Sequence, residues 1–199
     1  MLRDTQPVDG GVEGFLDLVD RNPAVSEVLR RGEALALPGW YLTAGCLFQT
    51  VWNVLDGRDP GEGILDYDFF YFDDADLSWD AEDLVIRRAA EVFGSCGVPV
   101  QVRNEARVHL WYESKFGAPC EPFRDTEAAI DSFAATACCV GIREVDGTRR
   151  VYAPLGFDDL LNFVLRPNPV LAPRAVYEAK TARWQESWPR LTVLDWPTG

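Results

Sequence analysis

The chain is poor in the residues that many catalytic sites are built from. It has one histidine, His109, among 199 residues. A Ser-His-Asp or Cys-His site would have to use that residue, and histidine-rich metal sites are excluded. The five cysteines (Cys46, Cys96, Cys120, Cys138 and Cys139) are odd in number and show no C-x-x-C spacing. That argues against zinc and for reduced thiols in a cytoplasmic protein. No apolar run is long enough to span a bilayer. Met1-Leu2-Arg3-Asp4-Thr5 lacks the apolar core of a signal peptide. Internal repeats, low-complexity tracts and clear linkers are also missing, and the length suits one substantial domain or one domain with a small appendage.

Positive charge is scarce as well. The chain carries 32 acids and 19 bases, a net charge of −13. The imbalance is concentrated: residues 1–99 hold 19 acids and 7 bases, residues 100–199 hold 13 and 12. Such a chain gains little from counterion release, which argues against duplex nucleic acid as a partner.

What is present in strength is an aromatic, branched stretch, Ile64 to Asp73, with the composition of a strand. Alternation puts Asp66 and Asp68 on one face and Leu65, Tyr67 and Phe69 on the other. Same-face neighbours lie roughly 6.6 Å apart along a strand, close enough for two carboxylates to converge on one divalent ion. Without a cation they repel, and one tends to keep its proton. The competing reading is a solvent-facing pair on an edge strand. Phe70 and Phe72 continue the acidic face, which suits a partly covered site.

Upstream, residues 12–31 read as two short helices divided at Asn22-Pro23, an N-cap followed by proline. Pro38 to Thr43 reads as a strand. Ala44-Gly45-Cys46 follows, then Leu47, Phe48, Val51, Trp52 and Leu55 at helical spacing, with Gly57 as the stop. Strand, glycine turn and helix together leave free backbone N–H groups at a helix N-terminus, where an anion binds well.

Downstream, Ser78 or Asp80 caps a helix whose buried stripe is Leu84, Val85, Ala89, Val92 and Phe93. A strand is expected from Val98 through Tyr112, with Gln101, Arg103, Glu105, Arg107 and His109 sharing one face. That polar row is either solvated or a substrate floor, with Arg103 and Arg107 for phosphates. Trp111 and Tyr112 read as core or as a base-stacking platform. The remainder reads as a short helix at 126–134, a hairpin around Asp146-Gly147, a helix at 157–165 and a tail helix at 176–188. On that last helix Lys180 and Arg183 read as solvated.

The order of glycine turn, helix, D-x-D strand, helix and strand resembles the nucleotidyltransferase superfamily typified by DNA polymerase β. The residues that carry the likeness are Ala44-Gly45-Cys46 and Asp66-Tyr67-Asp68-Phe69. The wider sequence is similar to a small bacterial nucleotidyltransferase-like family. That likeness lies in Arg103-Asn104-Glu105-Ala106-Arg107-Val108-His109-Leu110-Trp111-Tyr112, Val140-Gly141-Ile142-Arg143 and Arg166-Pro167-Asn168-Pro169. It extends from about residue 35 to the end.

The resemblance implies an α+β fold, a mixed β-sheet with flanking helices and a C-terminal helical extension. It implies a single domain over 1–199, with a catalytic core at about 35–115 and a C-terminal part at about 120–199 packed on it. It implies Mg²⁺ or Mn²⁺, a nucleoside triphosphate, and in-line transfer of a nucleoside monophosphate to an unknown hydroxyl acceptor. Asp66 and Asp68 would hold the metal. Gly45 and Cys46 would face the triphosphate, and Gln101, Arg103 and Arg107 would contact substrate. The superfamily places a third carboxylate where Gln101 stands, and an amide cannot act as a base near neutral pH. Either Glu105 or Asp73 completes the catalytic set, or the chain is a catalytically impaired module that binds triphosphate and metal.

Overall fold

A computed structural model describes residues 10–198. Two helices come first, α1 (Val12–Val19) and α2 (Pro23–Gly32). The Asn22 side chain accepts a hydrogen bond from Ala24 N, with proline opening α2, so the break lies where capping chemistry puts it. Next come β1 (Tyr41–Thr43), α3 (Gly45–Leu55), β2 (Tyr67–Tyr71), α4 (Trp79–Phe93) and β3 (Val100–Asn104). The later elements are α5 (Tyr112–Phe116), α6 (Thr126–Asp131), β4 (Gly141–Val145), β5 (Thr148–Tyr152), α7 (Asp158–Leu161), β6 (Val164–Leu165), α8 (Arg174–Ser187) and β7 (Thr192–Val193).

Five strands form one mixed sheet in the order β3-β2-β1-β4-β5. β2 and β3 run parallel, joined through α4, and the other pairings are antiparallel. The β4–β5 hairpin turns at Asp146 (φ 51°) and Gly147 (φ 68°), the two left-handed positions that a tight two-residue turn requires. β6 and β7 make a small parallel pair of their own. The expected α+β architecture is therefore present. Among the described residues no helix is long and apolar enough to cross a membrane.

One apolar core runs from Phe15 to Leu191 and joins the sheet to the C-terminal segment. Trp52 is its centre. It is fully buried, contacts Phe48, Phe163, Trp184 and Trp188, and donates its indole N–H to Leu160 O at 3.1 Å. Trp188 donates in turn to Asn53 Oδ1 at 3.0 Å. Buried indoles need such partners, and here the partners tie the C-terminal segment to α3.

Several local expectations are corrected. Leu84 is 67% exposed, and the buried positions of α4 are Glu82, Ala89 and Phe93. Two residues along a helix turn it about 200°, so Leu84 faces away from the stripe begun by Glu82. The strand beginning near Val98 does not reach Tyr112. It stops at Asn104, whose side chain accepts from Ala106 N and turns the chain into a 3-10 helix, Glu105–Leu110. The helix expected at 157–165 is only the four residues of α7, because Phe163 turns left-handed (φ 57°) and leads into β6. The tail helix forms as α8.

Candidate active site

Strand register assembles the site. Thr43, the last residue of β1, pairs with Asp68 of β2, and Asp68 pairs with Gln101 of β3. The turn into α3, the central acid and the amide thus stand side by side. Tyr67, Phe69 and Tyr71 go into the core, which leaves Asp68 and Phe70 facing a cavity of about 280 Å³. Gln101, Arg103 and Glu105 form the rest of its polar floor. Asp66 lies just before β2 rather than within it. It is held at this edge by Gln101, which donates its amide to Asp66 Oδ2 at 2.5 Å.

The turn places its strain one residue earlier than its glycine. Ala44 has φ 60° and ψ −140°, a region nearly reserved for glycine, and it lines the cavity. Strain of this kind persists only where surrounding structure imposes it. Gly45 serves a different end: a Cβ there would stand 2.7 Å from the Gln49 side-chain nitrogen, so its absence makes room for Gln49 over the first turn. Cys46 is fully buried, and its thiol donates to Thr43 O at 3.1 Å. Burial, with Asp68 nearby, pushes that thiol's pKa well up. Its side chain cannot reach a ligand, so Gly45 and Cys46 offer backbone N–H groups only. Among the described residues no side chain caps this helix N-terminus.

The acids differ in state. Burial first, then the Asp66 charge, raises Asp68 to about 7, against the opposing pull of Lys180, Arg103 and Lys115. Glu105 is 5% exposed, and burial pushes its carboxyl well above the ordinary range, with Asp68 adding to the shift. It enters the cavity because the chain turns at Asn104; a continuing strand would have carried it further away. Asp73 does not enter. It is exposed, and its carboxylate accepts from Ala75 N at 3.0 Å.

The two arginines expected to bind phosphate part company. Arg103 faces the cavity. Arg107 pairs with buried Glu82, donates to Leu77 O at 2.9 Å and lies over the Trp79 ring, away from the cavity. Its place is taken by Lys115 of α5, which sequence reasoning passed over, and by Lys180 of α8, which had read as solvated. They are the only two lysines in the chain, and that scarcity was the available signal. Arg103, Lys115 and Lys180 make no ion pair within 4 Å among the described residues. Lys115 instead lies over the Trp111 and Phe116 rings. Trp111, 37% exposed, and buried Tyr112 line the cavity beside it.

As a donor set, Asp66 and Asp68 suit one hard cation, since Mg²⁺ takes one or two carboxylates and completes its shell with phosphate and water. Among the described residues no group of three or more His, Cys, Asp and Glu side chains could hold a metal. The amide of Gln101, hydrogen-bonded to Asp66 and in register with Asp68, stands beside the two acids.

A solved NMR structure, described as revealing a CCA-adding enzyme head domain, superposes with a TM-score of 0.75 at 22% identity, over 94% of this chain and 98% of its own. That likeness carries the fold. No curated protein matches the sequence. The family described as nucleotidyltransferase matches residues 30–193, which include every candidate site residue named above, and the chain belongs to that family.

Proposed function

We propose that the cavity binds a nucleoside triphosphate with one divalent cation and transfers its nucleoside monophosphate to a hydroxyl acceptor. One observation carries the reading. The cavity joins a helix N-terminus and three basic side chains, including both lysines of the chain, that have no cap and no ion-pair partner among the described residues, with a raised carboxyl beside them. A structural ion network would have spent those bases on partners, as Arg107 is spent on Glu82.

Asp66 and Asp68 would hold the cation, which would supply charge neutralisation at the triphosphate. Asp68 would give up its proton on ligation, because adjacent positive charge favours the ionised form. The N–H groups at the start of α3 would donate hydrogen bonds to phosphate oxygens. Arg103 can grip two oxygens at once, and Lys115 and Lys180 act as point charges that offset the build-up on the leaving pyrophosphate. Glu105, whose carboxyl burial pushes well above the ordinary range, lines the same cavity and in its protonated form would donate a hydrogen bond there.

A second reading has its own support. Gln101 occupies the register position beside Asp68 and is hydrogen-bonded to Asp66. That arrangement suits metal and triphosphate binding with little or no turnover.

Calorimetric titration of Mg²⁺-ATP and Mg²⁺-CTP, into wild type and an Asp66→Asn/Asp68→Asn variant, tests the site. The expected result is binding by wild type and a loss of about a hundredfold or more in the variant, roughly 2.7 kcal/mol. Undiminished binding in the variant would remove both aspartates from the role. Pyrophosphate release by wild type then separates transfer from mere binding.

A further inference from the structure

The active-site cavity is small for two substrates. Its volume of about 280 Å³ lies at the lower edge of the roughly 300–1,000 Å³ typical of ligand pockets. A second cavity of about 520 Å³ adjoins it, and Phe123, Ser132 and Leu171 line both. This outer cavity is formed by the irregular segment before α6, the outer side of α6 and the loop before α8.

The two cavities differ in charge. The inner one presents Arg103, Lys115 and Lys180 together with the acids Asp68 and Glu105, an excess of bases. The outer one presents apolar surface from Pro119, Pro122, Val170 and Leu171, with Glu121, Asp131 and Arg124 as its charged groups. Arg124 lies against the neighbouring Asp125 (Nε to Oδ2, 3.2 Å), and Asp131 accepts from the Tyr152 hydroxyl at 2.8 Å. Glu121 has no ion pair within 4 Å among the described residues. The outer cavity is thus apolar with an excess of negative charge, an environment that repels a phosphodiester chain.

We propose that the outer cavity is the acceptor site and that the acceptor is a small hydroxyl-bearing molecule with an apolar body and no phosphate, not a polynucleotide. This rests on the triphosphate reading of the inner cavity. The acceptor oxygen, reaching past Phe123 and Leu171, forms a bond to the α-phosphorus. The bond from that phosphorus to the bridging oxygen breaks, pyrophosphate leaves with the electron pair, and the hydroxyl proton passes to water.

The test uses 2-phenylethanol as a neutral apolar probe, followed by saturation-transfer NMR on the full chain with Mg²⁺-ATP. Ala128→Trp and Val170→Trp each fill the outer cavity from positions that line it alone. Val170 is 66% exposed, so at least that variant keeps the core intact. The expected result is probe binding to wild type, weakened about tenfold or more in both variants, with Mg²⁺-ATP affinity changed by less than about twofold. Absence of probe binding to wild type, or undiminished binding in both variants, overturns the proposal. A parallel fall in Mg²⁺-ATP affinity would give the outer cavity to the nucleotide and also overturns it. Transfer of label from α-³²P-ATP to the 3′-hydroxyl of an RNA oligonucleotide overturns the acceptor class. If wild type fails to bind Mg²⁺-ATP, the reading beneath the proposal fails, and the calorimetric arm shows that separately.

Discussion

Arg103 and Arg107 stand four residues apart, one on each side of the point where β3 ends, and the chain uses them in opposite ways. Arg103 faces the cavity with no carboxylate within ion-pair distance among the described residues. Arg107, beyond the turn at Asn104, is locked against Glu82 and the Trp79 ring. Glu82 is 5% exposed, and its other oxygen accepts the Asn104 backbone N–H at 2.9 Å. The Glu82 carboxylate therefore does two jobs: it neutralises Arg107 and holds the end of β3 where the chain bends Glu105 into the site. A paired, buried arginine maintains the frame, while an unpaired one on a cavity floor is available to a ligand. The charge type is the same, and only the partner separates the two roles.

The comparison can be broken or sharpened by experiment. The largest effect is expected from Glu82→Ala. It leaves Arg107 buried without its counter-charge, which costs about 3–5 kcal/mol of folding stability, read by urea denaturation. A loss below about 1 kcal/mol, the range of an exposed pair, would mean that the frame does not depend on this ion pair.

Arg103→Ala is the mirror experiment. It should weaken Mg²⁺-ATP binding about tenfold, roughly 1.4 kcal/mol, and the effect should shrink as salt is raised. Folding stability should stay within about 0.5 kcal/mol of wild type. If stability fell while affinity held, the two arginines would have the same role after all.

The smallest effect concerns Glu105, whose pKa burial raises well above the ordinary range. Below the ordinary carboxylate pKa of about 4.3, folded and unfolded chains both hold the proton. Above it the unfolded chain releases its proton first, so the folded wild type loses stability progressively until its own carboxyl ionises. Glu105→Gln carries no such penalty. Its melting temperature should exceed that of wild type near neutral pH and converge with it in acid, as a series of thermal melts would show. A gap of the same size at both ends of the series would remove burial as the cause.

Much of the frame was legible in the residues because it obeys rules of short range. Asn22-Pro23 and Ser78 cap helices as their side chains dictate. Asp146-Gly147 turns a hairpin because both residues tolerate positive φ. Alternation separated Asp68 from Tyr67 and Phe69 correctly, because a strand with one face in the core admits a single register. The expected polar row from Gln101 to His109 lines the cavity as far as Glu105, but as a strand it runs only through Arg103. Asn104 ended it with a side-chain hydrogen bond to Ala106 N, a local competitor that a period-two pattern does not register.

By itself, then, the sequence determined the acidic strand, the turn and helix before it, the caps and the hairpin, each of which follows from backbone sterics or side-chain period within a few residues. The mixed sheet was implied by the family resemblance. Only the tertiary structure decided which charges meet. Docking of α5 and α8 on the cavity brings Lys115 and Lys180 into a site whose acid lies on β2. Packing of α4 against β3 hands Arg107 to Glu82. The physical reason is that a charge takes its role from its partner and its burial, and both are supplied by segments far away along the chain.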